Sequence, residues 1–169
     1  MRAFSHFAFI ISVLLGTARA GHTLDKMQAK VLENWFKAHP GYRLATDAYC
    51  KCDEDIRNLR SGSGGGWRAV PDYHPYVATG DFNGDGKEDF AVLVLKKSAA
   101  GSSFALAVFN GPLAATNEKE AFFEENLPDS GQALFFGPPR PKPYRLVVGR
   151  FESDSGFRLE PHGKSYVMR

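Results

Sequence analysis

Oxygen-bearing side chains fall at odd places of one nine-residue stretch: Asp81, Asn83, Asp85 and Asp89. A hard divalent cation such as Ca2+ takes about six to eight oxygen ligands at roughly 2.3–2.6 Å, from carboxylates, amide and backbone carbonyls and water. In a loop that curls about one point, alternate residues face inward, so places one, three and five converge. Gly86, at place six, suits the reversal of direction, which needs a positive φ. Lys87, at place seven, serves through its backbone carbonyl, and Asp89, at place nine, serves directly or through water. The candidate metal ligands are therefore Asp81, Asn83, Asp85, Lys87 and Asp89, and the expected ion is Ca2+. The competing explanation is a hairpin turn whose Asp, Asn and Gly serve turn chemistry alone.

An EF-hand would also need a bidentate Glu at place twelve, and Val92 stands there. The flanks agree that this is no helix–loop–helix. Tyr76-Val77-Ala78-Thr79 before the loop and Phe90-Ala91-Val92-Leu93-Val94-Leu95 after it are strand-like. The segment Gly80-Asp81-Phe82-Asn83-Gly84-Asp85-Gly86-Lys87-Glu88-Asp89-Phe90-Ala91-Val92 resembles one repeat of the FG-GAP/VCBS type, similar to the loops of integrin α-chain propeller blades. The resemblance implies a Ca2+ loop of the form D-x-[DN]-x-D-G-x-x-D between two strands, with the same five residues as ligands. It covers residues 80–92 only. No second copy occurs, and residues 21–169 are too few for a ring of four-stranded blades, so the motif carries over without the propeller. A structural staple is the expected role for such an ion.

The elements that must position this loop come from the rest of the chain. Residues 1–20 read as a signal peptide: Arg2, an apolar stretch over 7–15, and Ala18-Arg19-Ala20 as a small-x-small cleavage site. That stretch is shorter than the roughly 20 residues a membrane span needs, and no later one approaches it. The mature chain is expected to begin at Gly21 and to be secreted or periplasmic. Arg2 and Arg19 are the leader's only charged residues, so residues 21–169 carry 19 basic and 19 acidic side chains. A neutral chain gives a nucleic-acid partner no compositional support. An unidentified protein or glycan outside the cytoplasm is the expected partner, with no transmembrane segment after cleavage.

Residues 21–169 suit a single α+β domain carrying the calcium-type loop at 81–89. The expected fold is one N-terminal amphipathic helix packed on a mainly antiparallel sheet of about five to seven short strands. Residues 23–39 form the helix, with Thr23 as N-cap, a stripe of Leu24, Met27, Val31 and Trp35 widened by Leu32 and Phe36, and Pro40-Gly41 as the stop. Residues 42–49 are ambiguous between strand and coil, 61–66 read as a glycine-serine linker, and 67–75 as an ordered lead-in to the loop hairpin. Residues 98–103 read as a turn and 104–109 as a strand. Residues 117–126, with four Glu around Ala121-Phe122-Phe123, suggest a short acidic helix. Residues 134–136 read as a strand, 137–143 as a proline-rich loop, 145–151 and 157–159 as a hairpin about 152–156, and 164–168 as a last short strand.

Cys50 and Cys52 are the chain's only cysteines. In an oxidising compartment a pair of cysteines normally forms a disulfide, though a Cys-x-Cys ring is tight. Three readings stand: a local disulfide, which comes first, a metal-binding dithiol, and a bridge between chains. The acidic run Asp53-Glu54-Asp55 raises thiol pKa values and opposes a reactive thiolate.

Catalysis has little to stand on. There is no G-x-S-x-G elbow and no H-E-x-x-H, and His22, His39, His74 and His162 lack metal-ligand spacing. No residue is assigned a catalytic or cofactor-binding role. Two function classes remain: a secreted, calcium-stapled, non-catalytic binding or interaction module, inhibitor-like in kind, and a small secreted hydrolase assembled from dispersed residues. Asp72 and His74 are the nearest candidates for the second.

Overall fold

The structure, a computed structural model, describes residues 22–63, 68–97, 103–116, 119–127, 132–138, 142–151 and 156–169. The residues read above as a signal peptide and cleavage site, half of those read as a glycine-serine linker (64–66), residues 98–102, part of the stretch read as a proline-rich loop and residues 152–155 lie outside these residues.

In chain order the elements are α1 (Lys26–Ala38), β1 (Tyr42–Leu44), a 3₁₀ turn (Asp47–Tyr49), α2 (Asp53–Ser61), β2 (Val77–Gly80), β3 (Asp89–Lys96), β4 (Ser103–Phe109), β5 (Phe122–Leu127), β6 (Ala133–Phe135), β7 (Val147–Gly149), β8 (Gly156–His162) and β9 (Ser165–Met168). They form two antiparallel sheets, β1-β3-β4-β5 with β2 also on β3, and β6-β7-β8-β9. β4 holds one edge of β3. On the other edge β2 pairs with 89–92 and β1 with 94–96, end to end.

Alternation along β3 and β4 dictates three layers. Phe90, Val92, Val94, Ala105, Ala107 and Phe109 face Val31, Leu32 and Trp35 of α1. Ala91, Leu93, Leu95, Phe104, Leu106 and Val108 face the opposite way. There they meet Ile56 and Leu59 of α2 and Leu134, Val148, Leu159 and Tyr166 of the second sheet. Both faces of the central strands are therefore buried, which is why these strands read as continuous apolar runs rather than alternating ones.

The α+β class holds, with corrections in detail. Among the described residues nine strands in two sheets replace the expected five to seven in one, and the second helix, α2, lies where no helix was expected. The expected acidic helix over 117–126 is instead strand β5, paired with β4; residues 117–118 lie outside the described set. Phe122 packs against one core and Phe123 against the other, a period of two that a helix cannot provide. α1 begins at Asp25 rather than Thr23: Asp25 Oδ1 accepts from Gln28 N at 2.7 Å, and Gln28 Oε1 accepts from Asp25 N at 2.9 Å. That capping box turns Gln28 inward and leaves Met27 43% exposed, so Met27 drops out of the apolar stripe. Trp35 is a core residue, stacked on His39 and edge-on to Phe109.

Of the three cysteine readings, the local one is present: Cys50 and Cys52 form a disulfide with Cα atoms 5.1 Å apart. Cys52 is also the N-cap position of α2, just before its first residue, Asp53. Among the described residues no helix is long and apolar enough to cross a membrane.

Candidate metal loop and its surroundings

β2 and β3 form a hairpin whose last pair is Gly80 opposite Asp89. Between them the chain wraps around the first carboxylate. Asp81 Oδ1 accepts from the N–H groups of Gly84 and Asp85 at 2.7 and 3.0 Å, and Oδ2 from that of Gly86 at 2.9 Å. Asn83 Oδ1 accepts from Asp85 N, and Asp85 Oδ1 from Lys87 N, each at 2.9 Å. Gly86 has φ +82°, the reversal expected of it. The backbone N–H dipoles thus offset the mutual repulsion of the carboxylates.

Asp89 behaves differently from the other four. Its carboxylate is fully buried, and each oxygen receives a backbone N–H: Oδ2 from Phe82 at 2.9 Å, Oδ1 from Gly111 at 2.8 Å. The Tyr166 hydroxyl donates to Asn110 Oδ1 at 2.7 Å and stands 3.4 Å from Asp89 Oδ2. Asp89 therefore ties the loop to the β4–β5 connection and to the last strand. Burial pushes its carboxyl up to about 6, against the opposing pull of the Gly111 and Phe82 N–H groups. Burial and the Asp89 charge also raise the Tyr166 phenol.

The oxygen-only donor set has the chemistry a hard cation requires. The side chains here receive the loop's own N–H groups, and among the described residues no cluster of three or more His, Cys, Asp or Glu is gathered about one point. The loop also touches α1, where Gln28 Nε2 donates to Glu88 Oε1 at 3.0 Å.

Asp72 and His74 have separate partners. Asp72 Oδ2 lies 3.4 Å from the backbone N of His22, while His74 Nδ1 lies 3.3 Å from Asp47 Oδ1. Arg60 Nη2 donates to Asp47 Oδ2 at 2.9 Å, and Arg60 Nε donates to the carbonyl of Tyr73. Asp47, Arg60, Gly111 and Tyr166 carry no local sequence signal for these contacts, because each acts across a long stretch of chain.

His22 is buried, with its ring Nδ1 2.7 Å from the Val77 carbonyl and its face against Tyr73. Burial lowers its pKa below 6.5. A folded pKa below the unfolded value gives stability that is fully present above pH 6.5 and is lost as pH falls towards the folded pKa. Melting temperatures of the wild type and His22→Gln, compared from pH 7.5 down to pH 5, should show the wild type falling more steeply. Parallel profiles would remove this assignment.

Comparison with protein-family models, with curated proteins and with solved structures gave no match for this chain.

Proposed function

We propose that residues 81–89 form a calcium-binding loop in a secreted or periplasmic, non-catalytic binding module, and that the ion staples the β2–β3 hairpin. The observation that carries this reading is the curl of the loop about Asp81, with Asn83 and Asp85 at alternate places and Gly86 at the reversal. The ligand set is Asp81, Asn83, Asp85 and Asp89 by their side chains and Lys87 by its carbonyl. Calcium supplies positive charge at the point where the carboxylates repel one another. The partner of such a module is a protein or glycan met outside the cytoplasm. A non-catalytic role is favoured because Asp72 and His74, the pair named for hydrolysis, engage different groups.

The test is a melting scan in EDTA and in Ca2+. At a hundredfold excess over Kd the ion adds about 2.7 kcal/mol, which for a domain of this size is about 5–10 °C in Tm. Mg2+ should give less, since it demands a smaller, more rigid octahedral shell. Asp85→Ala should abolish most of the response and Asp53→Ala, on α2, should leave it intact. An identical wild-type Tm in EDTA and in millimolar Ca2+ would reduce the loop to a turn.

A further inference from the structure

Asn-Gly occurs twice in the chain, at Asn83-Gly84 in the β2–β3 loop and at Asn110-Gly111 after β4. Asparagine is a chemically labile residue, because the N–H group of the next residue can attack its side-chain amide carbon. A following glycine lacks the side chain that would crowd that approach. The structure gives the two pairs unlike surroundings.

At Asn83 the parts of the reaction are gathered within the loop. Asn83 Oδ1 accepts from Asp85 N at 2.9 Å, which folds the amide back over the intervening Gly84 peptide. The same N–H stands where negative charge would develop on Oδ1 during attack. Gly84 N donates to Asp81 Oδ1 at 2.7 Å, so a carboxylate is in place to receive its proton. An N–H bond lies in the peptide plane, so this contact leaves free the face from which the nitrogen attacks. Gly84 is exposed, and a Cβ there would meet nothing within 4 Å. Asn110 is held from across the fold instead. Its Oδ1 accepts from the Tyr166 hydroxyl at 2.7 Å, and its Nδ2 donates to the Lys164 carbonyl at 3.3 Å. Both ends of that amide are tied to the β8–β9 hairpin, and turning it onto Gly111 N would break both bonds. Gly111 is also walled in, since a Cβ there would lie 2.5 Å from the Glu88 carbonyl oxygen.

We propose that Asn83-Gly84 is a self-modification site, at which the folded loop converts Asn83 to aspartate and isoaspartate while Asn110 is preserved. Gly84 N forms a bond to Asn83 Cγ, and its proton passes to Asp81. The Cγ–Nδ2 bond then breaks, and the proton moves from Asp81 to the leaving nitrogen, which departs as ammonia. Water opens the cyclic imide that remains. Cleavage of its Cγ–N bond gives aspartate with the backbone unchanged, and cleavage of the backbone C–N bond gives isoaspartate, with the chain routed through Cγ. Nothing is oxidised or reduced. The first product adds a negative charge to the loop, and the second lengthens its backbone by a methylene. No bound ion takes part, so the proposal is independent of the calcium reading.

The test incubates the protein in EDTA at neutral pH and physiological temperature, folded and in urea. Peptide mapping over time reads the mass gained when NH2 gives way to OH, and isoaspartyl methyltransferase labelling locates the isomer. In the folded protein Asn83 should convert at least about tenfold faster than Asn110, and in urea, where only the shared Asn-Gly sequence acts, the two rates should converge. Asn83 should convert at least as fast folded as in urea. Asp81→Asn, shown to be folded by its melting transition, should slow conversion of Asn83 about tenfold or more and have no effect in urea. The wild-type comparison decides the matter without the variant. Conversion of Asn110 as fast as that of Asn83 in the folded protein overturns the proposal, as does slower conversion of Asn83 folded than in urea. A folded Asp81→Asn that converts at the wild-type rate also overturns it, by removing the proton acceptor on which the step depends.

Discussion

Asp89→Ala is expected to destabilise the protein by about 3–5 kcal/mol in EDTA, the cost of breaking a buried polar hub. Two N–H groups, of Phe82 and Gly111, lose the acceptor that the fully buried Asp89 carboxylate provides. Each such loss costs about 1–3 kcal/mol. Part is offset at neutral pH, because the buried carboxylate is itself held ionised at a cost, its pKa being pushed up to about 6. That offset makes the deficit depend on pH. Between an unfolded value near 4 and a folded value of about 6, the folded wild type binds more protons than the unfolded chain, so its stability rises as pH falls through this window. The alanine variant has no such group. Urea unfolding should therefore show a larger deficit at pH 5 than at pH 7. Asp89→Asn, which keeps one carbonyl acceptor and turns an NH2 towards the other donor, should lose about half as much. A deficit below about 1 kcal/mol for the alanine variant would remove Asp89 from the centre of this network.

Gly80→Ala, at the neck of the same hairpin, is expected to cost about 2–4 kcal/mol. Gly80 has φ +149°, a conformation that L side chains rarely adopt. An added Cβ would also meet the Phe136 ring well inside van der Waals contact. That ring has no easy retreat, being packed edge-on against Phe82 with centroids 4.8 Å apart and against Tyr144 at 5.8 Å. Displacing Phe136 therefore disturbs Phe82, whose N–H is bound to Asp89. Gly41→Ala serves as the control, since a Cβ there meets nothing within 4 Å and should shift stability by about 0.5 kcal/mol or less. Equal stability of the two variants in denaturant titrations would contradict the close packing described here.

The loop hairpin was legible in the sequence because its signals are local. Strand-like runs flank it, and Gly86 stands where a positive φ is required. α1 was legible for the same reason, apart from its start, where Asp25 and not Thr23 is the cap, and the capping box that draws Gln28 inward in place of Met27. Other features depend on distant partners. α2 buries only Ile56 and Leu59, too few for a period to show. β6 and β7 are three residues each and gain their place from pairing. The Glu-rich stretch at β5 favours a helix by propensity, and pairing with β4 overrides it. In the candidate site, Asp81, Asn83 and Asp85 are related by local spacing. The burial of Asp89 is set by Gly111, 22 residues on, and by Tyr166, 77 residues on. Spacing alone could nominate Asp89 as a ligand but could not reveal the second set of partners its oxygens already have.

The calcium reading is tested most directly by isothermal titration of CaCl2 into protein stripped with EDTA and exchanged into chelator-free buffer. One Ca2+ should bind per chain, with saturable heat that Asp85→Ala loses and Asp53→Ala retains. A flat titration of the folded wild type at millimolar Ca2+, or equal binding by Asp85→Ala, would contradict the assignment of residues 81–89 as a metal loop.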